Sequence, residues 1–151
     1  MSMTTHSAFL PRVPTLVAEH IECALADACR RGHAEIIEWA IAPHAPGTED
    51  DSDRFDVLIE FAEPARAPAA FVHAFDETLQ RLNAAYRDMR VHGRAPRILE
   101  VPPGTFGRWL TGRSEADPDV RVAPVAHDRT AADEVLAVVS ERRQAPIVLE
   151  C

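Results

Sequence analysis

Two groups of residues in the second half of the chain have side chains that could do chemistry. His127 and Asp128 are adjacent, and a histidine beside an aspartate can act as a base that the carboxylate orients. Arg113, Arg121 and Arg129 form a cluster of cations around them in a chain rich in acids. The alternatives are a surface turn for the His-Asp pair and ion pairs with nearby acids for the arginines. We expect an anionic small molecule here, with His127 as its proton-transfer partner.

A second set of candidates lies earlier in the chain. Glu60 points away from the apolar side of its strand, so it is either exposed or covered by a helix, and only a covered carboxylate would be chemically interesting. Thr105 follows a Pro-Pro-Gly turn and is a candidate helix cap. We count Arg113, Glu60 and Thr105 as candidate ligand-binding residues.

The chain lacks the sequence patterns that hold nucleotides and metals. Its 6 glycines do not form a Gly-rich phosphate loop between a strand and a helix. Its 7 histidines lack the HxxxH spacing of a metal site, and it has no CxxC pair. The acids between Glu49 and Asp53 lack the spacing of a calcium loop, and we interpret them as a solvated hairpin tip. We expect no metal and no cofactor.

Charge and composition exclude further classes of function. The net charge is -8, and all 16 basic residues are arginine. An acidic chain without a basic stripe is not expected to bind nucleic acid. The absence of lysine removes Schiff-base chemistry and lysine-assisted adenylate chemistry, because arginine does not give up its proton near neutral pH. The Ala, Arg and Pro-rich usage resembles high-GC coding, so we expect a bacterial source.

The cysteines and the apolar segments indicate the cellular compartment of the protein. An odd count of 3 cysteines argues for reduced thiols. No segment approaches ~18 consecutive apolar residues, and the N-terminus does not resemble a signal peptide. We therefore expect a cytoplasmic protein without a membrane partner.

Hydrophobic periodicity predicts the elements that must position these residues. Strict alternation predicts a hairpin, with Ile37, Trp39 and Ile41 facing inward on its first strand. Steps of three and four from Phe71 to Met89 predict one long helix with one buried face, formed by Phe71, Phe75, Leu79, Leu82, Tyr86 and Met89. A helix is also predicted at 16–31, where Gly32 stops it, followed later by a strand at 98–101 and a short helix around Trp109. After turns from Gly112 to Pro118, the sequence predicts a strand or loop at 120–122, a helix capped by Thr130 and a strand at 147–149.

This order of elements predicts the α+β class. One hairpin pairs locally and the other strands connect through helices, which implies a mixed or antiparallel sheet of about four strands with helices packed on it. Residues 1–14 are predicted to be a flexible lead, and residues 15–151 a single domain.

Four segments in this order resemble segments of one family. Residues 16–31 resemble its opening helix, and 55–61 (FDVLIEF) a strand that ends with Glu and an apolar residue. Residues 75–90 are similar to a helix with Leu-Asn-x-x-Tyr and a following Arg, here Leu82, Asn83, Tyr86 and Arg90. Residues 96–110 (PRILEVPPGTFGRWL) resemble a strand, a Gly-Thr-Phe turn and a short helix. The family is the Gretchen Hagen, or auxin-responsive promoter, acyl-acid amido synthetases, and the resemblance is to their C-terminal domain.

The resemblance implies a function and a site. In such synthetases a large N-terminal domain makes an acyl-adenylate from ATP and an acid, and a mobile C-terminal domain closes over it so that an amine attacks. We expect this chain to lack the adenylating part. The family's lysine, in a Gln-Tyr-Lys-Val-Pro-Arg-like segment, corresponds to Arg121 within residues 119–124. Arg121 thereby joins His127 as a candidate catalytic residue, although a guanidinium is a rigid fork and not a point charge.

Three hypotheses follow. The first is a lid subunit that works with a separate adenylating protein in acyl activation or amide formation, in specialised metabolism. The second is a stand-alone small-molecule enzyme of a biosynthetic pathway that reuses the lid fold. The third is a non-catalytic binding or assembly domain, for example a homodimer. An enclosed cavity would favour the second hypothesis.

Overall fold

The computed structural model describes residues 18–43, 55–92, 96–116, 130–141 and 146–149. Its helices and strands follow one another along the chain as α1 (Ala18–Gly32), β1 (Glu35–Pro43), β2 (Phe55–Glu63), α2 (Pro68–Leu82), α3 (Ala84–His92), β3 (Arg97–Val101), α4 (Thr105–Ala116), α5 (Thr130–Glu141) and β4 (Ile147–Leu149). The predicted lead at 1–14 and the predicted strand or loop at 120–122 lie outside the described residues.

The described strands form one mixed sheet in the order β1-β2-β3-β4. β1 and β2 are antiparallel, as predicted for a hairpin. β2 and β3 are parallel because α2 and α3 carry the chain back between them. β4 then pairs antiparallel with β3. The predicted α+β class with a sheet of about four strands is confirmed.

Helices cover both faces of this sheet, and each face has its own core. α1, α2 and α3 pack on the face that carries Val57, Ile59 and Ile98. α4 and α5 pack on the opposite face, which carries Leu58 and Leu99. β2 is therefore buried on both sides from Phe55 to Phe61. This double coverage encloses Asp56 and Glu60, which a half-exposed strand would leave in water.

The alternation predicted for β1 breaks at a β-bulge. The pairing with β2 shifts register between Ile36 and Glu38, so Ile37 is the extra residue. Ile36 packs against the core, and Ile37 is 57% exposed. The prediction that Ile37 faces inward was wrong, whereas Trp39 and Ile41 do pack in the core.

The end of α1 agrees with the prediction that Gly32 stops the helix. Gly32 is the last residue of α1, and His33 takes the left-handed conformation beyond it, with φ 55°. The small size of Gly32 serves another purpose: a Cβ on it would lie 2.7 Å from the Cβ of Phe71 on α2. Glycine at this position lets the two helices approach closely.

The long helix predicted from Phe71 to Met89 is two helices. Asn83 lies between them with extended backbone angles, φ −138° and ψ 111°. Its side-chain oxygen accepts a hydrogen bond from the backbone N–H of Tyr86 at 2.8 Å, which caps the start of α3. The break turns the apolar stripe away from Leu82, which is 37% exposed, so its predicted place in the core was wrong.

A polar network ties α2 to α3 across this break. The Tyr86 hydroxyl donates to Asp76 Oδ1 at 2.5 Å, and Arg90 Nε donates to the same oxygen at 2.8 Å. Burial raises the pKa of Tyr86 well above its ordinary value, and the neighbouring Asp76 carboxylate raises it further. Burial also opposes the charged form of Asp76, but hydrogen bonds from Arg90 and Tyr86 outweigh it and hold the pKa of Asp76 below its ordinary value. Tyr86 and Arg90, which carry the predicted family motif, thus stabilise the fold.

Of the last two helices, α4 is longer than predicted and α5 begins where it was predicted. α4 continues to Ala116, through the start of the stretch predicted to be turns from Gly112. α5 begins at Thr130 as predicted, and its Val135 and Val139 are buried in the second core. Within the ranges that the structure describes, no helix is both long and apolar enough to cross a membrane.

Candidate functional site

Glu60 is a buried acid at the junction of the sheet and α4. It is 4% exposed, so the covered case of the prediction applies. β2 and β3 pair in parallel with Glu60 opposite Val101, which places the turn after β3 beside its side chain. Glu60 Oε2 accepts a hydrogen bond from Gly104 N–H at 3.1 Å, and Oε1 accepts one from Phe106 N–H at 2.9 Å. A carboxylate at the N-terminus of a helix is favoured by free backbone N–H groups and by the helix dipole.

The turn that Glu60 holds is fixed from its own side as well. Gly104 has φ +88°, a conformation that glycine adopts without a steric cost. The Thr105 hydroxyl donates to the Pro102 carbonyl at 2.6 Å, and Thr105 N–H donates to the same carbonyl at 3.2 Å. Thr105 is buried, with its hydroxyl directed into the turn. The Thr105 hydroxyl thus donates to the turn and does not cap α4 as predicted, whereas Glu60, 44 residues before Gly104, accepts from the amides of Gly104 and Phe106.

An open cleft of about 490 Å³ runs along α4 from this turn, lined by Gly104, Gly107, Arg108, Thr111 and Gly112. These residues share one helix face, because they recur at spacings of three and four. A Cβ on Gly107 or Gly112 would meet nothing within 4 Å. The wall of the cleft is therefore mostly exposed helix backbone.

Arg108 supplies the charge of this cleft. Its side chain lies over the turn, since a Cβ on Gly104 would be 3.9 Å from Arg108 Nη2. It is exposed, and among the side chains that the structure describes no acid forms an ion pair with it. The amides of Gly104 and Phe106 are already bonded to Glu60. An anionic group in the cleft would therefore meet the Arg108 guanidinium, while these two amides are already occupied.

The predicted site residues fall into two groups. Glu60 and Thr105 come together at the turn before α4, and their contact with a ligand stays a prediction. Arg113 lies in α4, but its side chain is outside the described part of the chain. Arg121 and His127 are also outside it, so their roles stay predictions. Within the described ranges, no group of three or more His, Cys, Asp or Glu is placed to hold a metal ion.

Arg108 and the glycine face of α4 were not among the sequence candidates. The sequence does contain a pattern that places them together, because Gly104, Gly107, Arg108 and Thr111 follow the i, i+3, i+4, i+7 spacing of one helix face.

The fold and the site together define a class of protein. It is an α+β domain whose four-stranded mixed sheet lies between two helix layers, with a buried glutamate holding a glycine turn at the start of one helix. Residues 19–119 match the GH3 family C-terminal domain. The chain therefore belongs to the GH3 family, the family that the sequence resemblance predicted. No curated protein sequence matches the chain.

Solved structures show the same fold. The chain is similar to the GH3.15 acyl acid amido synthetase with a TM-score of 0.63 and 14% identity, over 80% of this chain and 24% of that one. It is also similar to the AtGH3.15 acyl acid amido synthetase in complex with 2,4-DB, with a TM-score of 0.63 and 13% identity, over 80% of this chain and 23% of that one. The chain thus spans about a quarter of the length of these relatives.

Proposed function

We propose that this chain is the lid-type domain of an acyl-adenylate amide synthetase and acts with a separate adenylating partner. The partner makes the acyl-adenylate from ATP and the acid with release of pyrophosphate, and this domain closes over it. An amine then attacks the acyl carbon to give the amide and release AMP. The observation that carries the proposal is the family match over residues 19–119, together with likeness to about a quarter of a complete amido synthetase. Specialised metabolism is the setting that we propose.

The α4 cleft supports a role beside a charged group. It is open to solvent, which suits a surface that meets another protein better than a pocket that encloses a small molecule. Arg108 offers a cation at the turn, and an acyl-adenylate carries an anionic phosphate. Arg121, at the position of the family lysine, is the second cation that we propose to act on this phosphate, with His127 for proton transfer.

Reconstitution tests this proposal. Two adenylating partners serve: an adenylating protein encoded beside this chain in its source genome, and the GH3.15 synthetase with its matching C-terminal quarter removed. Each is incubated with ATP, a carboxylic acid and a panel of amines, with and without the purified chain. 2,4-DB is the acid for the second partner, because it is bound in a structure of that enzyme.

We expect the chain to raise amide formation, measured by mass spectrometry, with at least one partner. The same chain carrying Arg108→Gln keeps the fold because this side chain is exposed, and it should raise amide formation less because it lacks the cation proposed to meet the phosphate. The proposed function is contradicted if, with both partners, the amount of amide formed is the same with and without added chain.

A further inference from the structure

Glu60 holds backbone that lies far from it along the chain. It is a buried carboxylate in the middle of the fold, yet its two hydrogen bonds go to backbone amides of a surface turn. That turn begins the cleft, since Gly104 lines it and Arg108 follows one helical turn later, with its N–H bonded to Gly104 O at 3.0 Å. The position of the cleft is therefore coupled to Glu60.

We infer that Glu60 is a positioning residue: it holds the Gly104–Phe106 turn, and thereby the cleft and Arg108, in the geometry that the adenylating partner meets. This inference rests on the proposed function. Both carboxylate oxygens are used by backbone amides, so Glu60 acts through the turn and not by touching a substrate.

The chemistry of the side chain predicts what each substitution does. In Glu60→Gln the amide oxygen can accept from one backbone N–H, but the NH₂ group would face the other and cannot accept from it. Gly104→Ala perturbs the same turn from the opposite side, because φ +88° is strained for alanine. Gly104 is exposed, so this variant is expected to fold even if Glu60→Gln is strongly destabilised.

A matched control lies on the same strand and face. Asp56 is a buried acid of β2 that bonds Arg97, with 3.2 Å from Nε to Oδ1 and 3.0 Å from Nη2 to Oδ2. Asp56→Asn thus removes a buried charge from β2 while leaving the bonds between Glu60 and the turn in place.

The first measurement needs no partner. Hydrogen exchange of whichever of the Gly104 and Phe106 amides is left facing the NH₂ group should become at least about tenfold faster in Glu60→Gln, the effect of losing a hydrogen bond to a charged group. In Asp56→Asn the hydrogen-exchange rates of these two amides should equal those of wild type, once any change in the rate of exchange through global unfolding is accounted for. Equal protection of both amides in wild type and Glu60→Gln overturns the inference.

The second measurement is the reconstituted amide formation, titrated with each variant of the chain. A turn that populates the right geometry less often raises the concentration of chain needed for half-maximal rate, by roughly three- to tenfold, and leaves the maximal rate near wild type. We expect this for Glu60→Gln and Gly104→Ala, with a less than additive effect in the double variant because both act on one turn. Asp56→Asn should keep the wild-type half-maximal concentration.

The outcomes separate the two claims. Wild-type chain that supports no amide formation overturns the proposed function and the inference that rests on it. Active wild-type chain, with half-maximal concentrations unchanged in folded Glu60→Gln and Gly104→Ala, overturns the inference alone. A fall in maximal rate without a change in half-maximal concentration also contradicts it, because that pattern indicates direct participation in the reaction.

Discussion

Phe75 and Leu82 lie on the same helix, and the structure predicts very different costs for replacing them with alanine. Phe75 is 0% exposed and belongs to the core between α1, α2, α3 and the sheet, whereas Leu82 is 37% exposed at the end of α2. The sequence pattern alone predicts a cost of about 3 kcal/mol or more for both. The break at Asn83 is the reason that the two now differ.

The magnitudes follow from burial. Phe75→Ala loses the transfer free energy of a whole buried ring and leaves a cavity, for a total of about 3–5 kcal/mol. Leu82→Ala loses roughly two-thirds of a leucine transfer free energy and leaves no closed cavity, for about 1–2 kcal/mol. Native domains are stable by only about 5–15 kcal/mol, so the first variant approaches the limit of folding.

Urea unfolding followed by circular dichroism measures this difference. With a slope on the order of 2 kcal/mol/M, the midpoint should fall by roughly 2 M for Phe75→Ala and by less than about 1 M for Leu82→Ala. Similar shifts for the two variants would refute the division into α2 and α3, because one continuous helix would bury both side chains.

The remaining predictions concern the polar network, two glycines and the isolated chain. Asp76→Asn should destabilise the domain by about 2–3 kcal/mol at pH 7 through its bonds to Arg90 and Tyr86. The folded pKa of Asp76 is lowered, so its contribution is present above the ordinary aspartate range and is lost as the pH falls through the folded pKa. The difference in stability between the two proteins should therefore shrink as the pH falls below the ordinary aspartate range. Gly32→Ala should cost about 1–3 kcal/mol because its Cβ meets Phe71 at 2.7 Å. Gly107→Ala, with open space around its Cβ, should stabilise α4 by up to about 1 kcal/mol. Thermal melts in which Gly32→Ala is the more stable of the two variants would contradict the close packing of α1 against α2 at Gly32. The isolated chain should give no ATP–pyrophosphate exchange with a panel of acids. Robust exchange by pure protein would refute the proposal that the chain needs a separate adenylating partner.

Much of the fold could be predicted from local patterns in the sequence. Apolar residues at Phe55, Val57, Ile59 and Phe61 specify β2, and its pairing with β1 needs only a hairpin. The bulge was hidden because Ile36 and Ile37 are both apolar, and pattern alone does not say which of them faces the core. The break at Asn83 was hidden for a similar reason: Leu79, Leu82 and Tyr86 continue the helical spacing across it.

The candidate site was harder to predict because it depends on long-range pairing. Glu60 could be placed on a strand, but its bonds to Gly104 and Phe106 cross 44 and 46 residues of chain. They require the parallel register that sets Glu60 opposite Val101. Periodicity carries no information about that register, so Glu60 could be singled out without its partner.

The central claim is that this domain closes over an acyl-adenylate held by another protein, and a binding measurement tests it most directly. The affinity of the chain for an adenylating partner is measured by calorimetry, with the partner either empty or loaded with a non-hydrolysable acyl-sulfamate analogue of the adenylate. A lid that contacts the adenylate must bind the loaded partner more tightly, and we expect an increase of about 5- to 100-fold, the usual range of coupling between two sites. Equal affinity for empty and loaded partners, or no binding to either, would contradict the claim.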